Sequence, residues 1–234
     1  EYAISYNGIL DCWHDGCETL GPPYAPHSVA LHDADEFLAA ASSPDDRQRR
    51  MDAILDAYRA LDELKRSGDV AMIGIGAKDW DVIRSIDDAV SLDWIMFATL
   101  PTIYRHPPQI VTDLDRMSKR GVVFVNAGVF HSGFLVGGSQ FDYEPFDQSH
   151  PDAAQLVQWR DRLYAVCNAH QVTPAAASVQ FSISHPGIST VALNCDTAGR
   201  VVENFEAART PIADAFWKEL KAEGVVSAAY PFVG

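Results

Sequence analysis

The sequence predicts an α/β fold in which parallel strands are wrapped by helices. Short apolar runs alternate with amphipathic stretches along the chain. Gly, Pro and Asp punctuate the boundaries, and polar and glycine-rich residues gather just after the apolar runs, where parallel α/β proteins place their ligands. The 234 residues, 47% hydrophobic and 21% charged, suffice for one sizeable core, so a single domain over 1–234 is expected.

Tyr6 to Leu20 carries Ile9, Leu10, Trp13, Cys17 and Leu20 at a helical period, stopped by Gly21-Pro22-Pro23. Ser28 to Leu31 reads as a strand leading into His32 and Asp33, followed by a polar loop with a helical piece near Phe37 to Ala41. A long helix is predicted from Asp46 to Ser67, striped by Met51, Ile54, Leu55, Tyr58, Leu61 and Leu64 and ended by Gly68. A strand at Val70–Ile75 leads to Gly76-Ala77-Lys78-Asp79, then a helix at Trp80–Val90. Leu92–Phe97 is the next strand, with Thr99–His106 as its loop and a helix opened by Pro107-Pro108 and running to Arg120. Val122–Val125 is continuously apolar, the pattern of a strand buried on both faces.

Ala127 to Ser149 is too long for a plain connection and reads as a functional loop. Helices follow at Pro151–His170 and from Thr173-Pro174 to His185, then a strand at Thr190–Leu193 with its helix at Thr197–Ala208. A last helix runs from Thr210-Pro211 to Glu223. An open doubly wound sheet and a (β/α)8 barrel both fit this order. No G-x-G-x-x-G or G-x-x-x-x-G-K-[ST] opens a helix after a strand, which argues against Rossmann and P-loop sites.

The net charge of −14, with no Lys/Arg block, makes nucleic acid and anionic membrane surfaces poor partners. No apolar run approaches a membrane span and no signal peptide is visible. Cys12, Cys17, Cys167 and Cys195 form no C-x-x-C pair, the usage of reduced thiols in a cytoplasmic protein.

The chemistry is expected at the strand ends. His32 suits proton donation or the orientation of a substrate oxygen. With Asp33, Asp35 and nearby His27 it is also a candidate metal cluster, although no second His/Asp group appears at another strand end. Tyr104 and Phe130 are placed to flank a planar ring or simply to pack. His131 and Ser132 are adjacent, a poor arrangement for a nucleophile and its base. Over Val191 to Asn204, Asp196 or Thr197 can cap a helix whose free N–H groups and Arg200 form an anion site, with Glu203 and Asn204 a turn further on. By spacing alone these are equally the residues of an ordinary surface helix.

Four segments taken together resemble the aldo-keto reductase family. They are A-L-D-E-L-K-R-S-G-D-V-A-M-I-G-I-G (60–76), N-A-G-V-F-H-S-G-F-L (126–135), S-V-Q-F-S-I-S-H-P-G-I-S-T-V (178–191) and R-V-V-E-N (200–204). The G-A-K-D-W turn, the F-H-S-G-F-L loop and P-I-A-D-A-F-W-K-E-L (211–220) are similar to its aldose-oxidising branch. The resemblance implies a (β/α)8 barrel, of which this chain would supply strands four to eight with their helices. It also implies NAD or NADP bound in extended form, and oxidation of a sugar such as L-fucose or D-arabinose at C1.

Carried over residue by residue, Arg200 matches the adenosine 2′ position, and Glu203 and Asn204 the adenine contacts. Leu193, Asn194 and Cys195 match the ribose loop. Gly128, Phe130, Ser132 and Gly133 match the loop near pyrophosphate and nicotinamide, and Gly76 and Ala77 the carboxamide position. His32 matches the active-site histidine, while Tyr104 and His131 are expected to meet the sugar, whose site the 128–148 loop would shape. Asn194 stands where relatives that prefer NADP often carry Lys, which favours NAD. The family's Asp, Tyr and Lys have no matching position here, and Tyr6 and Tyr104 do not supply them. Five strands cannot close a barrel of eight, so three βα units ahead of Glu1 are expected to be missing. A non-catalytic cofactor-binding subunit and a metal-dependent barrel hydrolase are the competing functions.

Overall fold

The computed structural model describes residues 3–147, 149 and 151–234. Glu1, on which the expectation about the chain's start falls, and Gln148, the last residue of the expected sugar-site loop, lie outside them. The chain forms two compact units, Glu1–Phe97 with Gly121–Val123, and Ala98–Arg120 with Phe124–Gly234. Each is built of parallel strands and helices, the predicted α/β class.

The first unit begins with α1 (Tyr6–Leu20), whose N-cap Ser5 accepts from the Gly8 N–H. Its apolar stripe is only half-covered, and none of its residues is buried. Next come β1 (Ser28–His32), the short α2 (Ala34–Ala39) and α3 (Pro44–Ser67), which starts two residues earlier than predicted because Ser43 caps it and Pro44 suits its first turn. Gly68 ends α3 at φ +86°. Then β2 (Met72–Ala77), α4 (Trp80–Val90, capped by Asp79) and β3 (Trp94–Ala98) complete the unit. The strand predicted at Val70 starts at Met72, because the Val70 N–H is drawn to Leu64 O at the end of α3.

Within this unit β1 and β3 flank β2 in parallel, with His32 opposite Gly76 and Trp94 opposite Gly74. One face of the three strands is sealed by Leu31, Ile73, Ile75, Ile95 and Phe97. The other carries His32, Gly74, Gly76 and Trp94; Gly74 is required there, and Gly76 leaves the His32 ring its place. A Cβ at Gly74 would come within 2.4 Å of Trp94 O, and one at Gly76 within 2.7 Å of the His32 ring. Ala77 alternates onto the sealed face, so its methyl group belongs to the core.

The second unit holds α5 (Pro108–Ser118) and β4 (Val123–Ala127), then a 3-10 turn at Phe134–Val136 and a hairpin of β5 (Gln140–Phe141) and β6 (Glu144–Pro145). After these come α6 (Ala153–His170), α7 (Pro174–Ser182), β7 (Ile188–Val191), α8 (Ala198–Arg209) and α9 (Asp214–Ala222). Its core centres on Phe134, Leu163, Phe181, Phe216 and Leu220, all fully buried. Strand β4 corrects the expectation of burial on both faces: Phe124 and Asn126 are sealed, whereas Val123, Val125 and Ala127 are half-exposed. Asn126 donates to Pro101 O at 2.8 Å and Ser182 O at 3.1 Å, tying the carboxyl end of β4 to the loop before α5 and to the end of α7.

Candidate functional site

In the first unit His32 ends β1 with its side chain 72% exposed. Asp33 occupies the N-cap of α2 at φ +55° yet makes no capping bond, forgoing about 1 kcal/mol of helix stabilisation. Its carboxylate lies instead 3.0 Å from His32 Nδ1. The contact lacks hydrogen-bond geometry, and the exposed ring leaves Nε2 open to a ligand oxygen. Asp35 accepts from the N–H groups of Lys78 and Asp79, and so fixes the loop after Gly76 and Ala77. Asp35 keeps one oxygen on that loop, and among the described residues no three His, Cys, Asp or Glu side chains group to hold a metal ion, the candidates His32, Asp33 and Asp35 included.

In the second unit the carboxyl ends of β4 and β7 open into a cavity of about 640 Å³. Gly128, Phe130, Ser132, Gly133, Leu193 and Asn194 all line it, joined by Gln140 and Tyr143 of the hairpin, two residues that sequence reasoning did not select. The backbone turns sharply through this wall, with φ of +62° at Gly128 and +91° at Gly133. A Cβ at Gly128 would come within 3.2 Å of Thr99 N.

Residues of the α8 entry separate into two groups. Thr197 rather than Asp196 is the cap, accepting from the Arg200 N–H at 3.2 Å. The Arg200 guanidinium is exposed and pairs with Glu203 at 3.1 Å, so a phosphate would have to compete with that carboxylate. Asn204 is buried, and its amide donates to Asn194 O and to Cys195 Sγ. It therefore braces the ribose-matched turn rather than presenting its amide N–H groups to an adenine ring.

His131 and Tyr104 depart from the sugar contact expected of them. His131 is fully buried, stacked on Phe141 and edge-on to Tyr104. Tyr104 is half-buried, and its ring packs edge-on against Phe141 and Trp159 as well. The His131 Nε2 lies 2.7 Å from Thr102 Oγ1 and its Nδ1 2.5 Å from Asp142 Oδ1. These are the distances of a nucleophile–base–carboxylate triad, but Thr102 and His131 are both 0% exposed and nothing can reach the hydroxyl. Thr102 Oγ1 already accepts from the Arg105 N–H, so its own proton goes to Nε2 and Nδ1–H donates to Asp142. The group is a structural lock.

Burial lowers the pKa of His131, against the opposing pull of Asp142. Burial likewise lowers those of His106 and His185. His106 uses both nitrogens, facing Thr102 O and accepting from the Ser227 N–H. His185 Nε2 lies 3.4 Å from Asp115 Oδ1 without hydrogen-bond geometry. Each ring is thus favoured neutral in the fold and takes a proton more readily when unfolded. Stability is therefore full above the unfolded histidine pKa and is lost as pH falls below about 6.5. A denaturant midpoint nearly level between pH 7.5 and 6.5 and falling from there to pH 5.5 is expected, at up to about 1.4 kcal/mol per pH unit for each such histidine. A flat profile would show that these rings titrate alike in both states.

Parallel strands, each leading through a polar loop at its carboxyl end to a helix, with a ligand-sized cavity there, define the class of βα proteins that bind ligands at their strand ends. The aldo/keto reductase family model matches residues 1–223, and the chain belongs to that family. It is 29% identical over 233 residues to a pyridoxal 4-dehydrogenase of Microbacterium luteolum, covering 97% of this chain and 64% of that protein. It is also 29% identical over 173 residues to a D-threo-aldose 1-dehydrogenase of a Pseudomonas species, covering 72% and 50%. The chain therefore spans between half and two thirds of the length of these curated relatives. The holo form of aldo-keto reductase AKR11C1 from Bacillus halodurans shares the fold at a TM-score of 0.68 and 19% identity, over 97% of this chain and 70% of that one. No helix among the described residues is long and apolar enough to cross a membrane.

Proposed function

We propose that the whole protein is a nicotinamide-dependent dehydrogenase that oxidises the C1 hydroxyl of an aldose, of the L-fucose or D-arabinose kind, to a lactone. The observation that supports this most is the convergence on one cavity of six residues matched to the family's cofactor loops: Gly128, Phe130, Ser132, Gly133, Leu193 and Asn194. The residues present suit such a group. The cavity's 640 Å³ falls within the roughly 300–1,000 Å³ of small-molecule sites. Among the described residues its wall carries no Asp or Glu, so an anionic pyrophosphate meets backbone and the Ser132 hydroxyl there without repulsion from their carboxylates.

When bound, the nicotinamide ring supplies the acceptor for the C1 hydride. His32 orients the sugar oxygen through Nε2, and Gly76 gives its ring room. Arg200, matched to the adenosine 2′ position, must leave Glu203 to meet a ligand, and Asn204 holds the Asn194–Cys195 turn beside the ribose. The hydroxyl proton needs a base, which is assigned to no residue of this chain.

The test is turnover by the full-length protein with NAD+ and NADP+ against L-fucose, D-arabinose and pyridoxal, with lactone detected as product. A kcat/KM for pyridoxal above that of every aldose would replace the substrate class. Cofactor binding without any turnover would favour a non-catalytic cofactor-binding protein. Asn194 offers no positive charge to a 2′-phosphate, so NAD+ is the expected cofactor. Asn194→Lys is expected to raise the NADP+/NAD+ ratio of kcat/KM about tenfold, one charge-assisted contact being worth about 1.4 kcal/mol. A wild type that already prefers NADP+ would overturn this assignment.

A further inference from the structure

The hairpin that walls the cavity is held by a lock that the chemistry above does not use. Strands β5 and β6 pair Phe141 with Glu144, which leaves Asp142 and Tyr143 as a two-residue turn. Both have positive φ, +47° and +76°. Such turns favour Asn-Gly or Asp-Gly, and an aromatic residue there is strained. Three bonds offset that strain. Asp142 Oδ1 accepts from His131 Nδ1, and its Oδ2 pairs with Arg105 Nη2 at 2.9 Å. The Tyr143 N–H donates to Ser132 Oγ at 2.7 Å. Arg105 is itself fixed through Thr99 Oγ1, and His131 through Thr102. The lock thus joins the loop after β4 to the loop before α5, and its outcome is that Gln140 and Tyr143 stand in the cavity wall.

We propose that Asp142 is a positioning residue: through His131 and Arg105 it holds the 140–145 hairpin closed as a wall, so that Tyr143 and Gln140 retain the nicotinamide dinucleotide in the cavity. This rests on the cofactor reading of that cavity. Tyr143 is half-exposed in that wall, which puts its ring within reach of a ligand in the cavity.

The experiment uses the full-length protein, with NAD+ and NADP+ as probes. Asp142→Asn keeps the shape but removes the charge that pairs with Arg105. It is expected to speed amide exchange over 139–146 and to raise the dinucleotide Kd about tenfold. Tyr143→Gly removes the ring while relieving the turn. It is expected to raise Kd severalfold with no loss of thermal stability, a separation that a merely structural role would not produce. Unchanged Kd in both variants, with the wild type binding normally, overturns the hairpin's role alone. A wild type that binds neither dinucleotide overturns the cofactor reading and with it the ligand assigned here.

Discussion

Replacing His32 by alanine in the full-length protein is expected to lower kcat for aldose oxidation about a hundredfold, or about 2.7 kcal/mol of transition-state stabilisation, while the cofactor Kd stays within twofold. The expectation rests on how the ring is held. It is exposed at the end of β1, and register with Gly76 lets it lean over β2. The Asp33 carboxylate lies 3.0 Å from Nδ1. Asp33→Asn, which leaves the ring in place, is expected to lower kcat by less than the loss of the ring. The measurement is steady-state kinetics at saturating cofactor, with cofactor binding measured separately. If the alanine variant keeps kcat within twofold, His32 has no part in turnover.

Most of the architecture was open to sequence reasoning because it is local. Helix periods, the glycines at 68, 128 and 133, and the Thr197 cap each act over a few residues, although the Ser43 cap went unread. The cavity residues at 128–133 and 193–194 were legible for the same reason, as short loops after apolar runs. What stayed hidden depends on contacts distant in sequence. The run Val122–Val125 cannot reveal which side chains face solvent, since every member is apolar. Asp142 lies 11 residues from His131 and 37 from Arg105 in sequence, so nothing local marks it as a lock or the 139–146 stretch as a hairpin. His131 and Tyr104 were assigned to a sugar because polar aromatics after strands resemble site residues. Only tertiary packing turns them inward, where Asp142 and Thr102 satisfy the imidazole. Asn204 reads as a surface acceptor on α8, but the helix is rotated so that its amide meets the preceding turn.

Phe181→Ala is expected to destabilise the second unit by about 3–5 kcal/mol, the range for truncating a large buried aromatic side chain. Phe181 is fully buried on α7, stacked on Tyr230 at 4.5 Å and tilted against His106 at 4.9 Å. These neighbours carry hydrogen bonds of their own. Tyr230 meets Ser184 Oγ at 2.9 Å, and His106 accepts from the Ser227 N–H at 2.9 Å. The cavity left by the ring would therefore loosen the 227–230 segment as well as remove apolar contact. Against a total of about 5–15 kcal/mol for an ordinary domain, such a loss approaches unfolding near body temperature. Urea titration followed by tryptophan fluorescence reads it, since Trp217 lies 6.4 Å from the Phe181 ring. Phe181→Leu, which refills most of the space, should recover more than half of the loss. A loss under 1 kcal/mol for the alanine variant would mean that this ring cluster is not the unit's core.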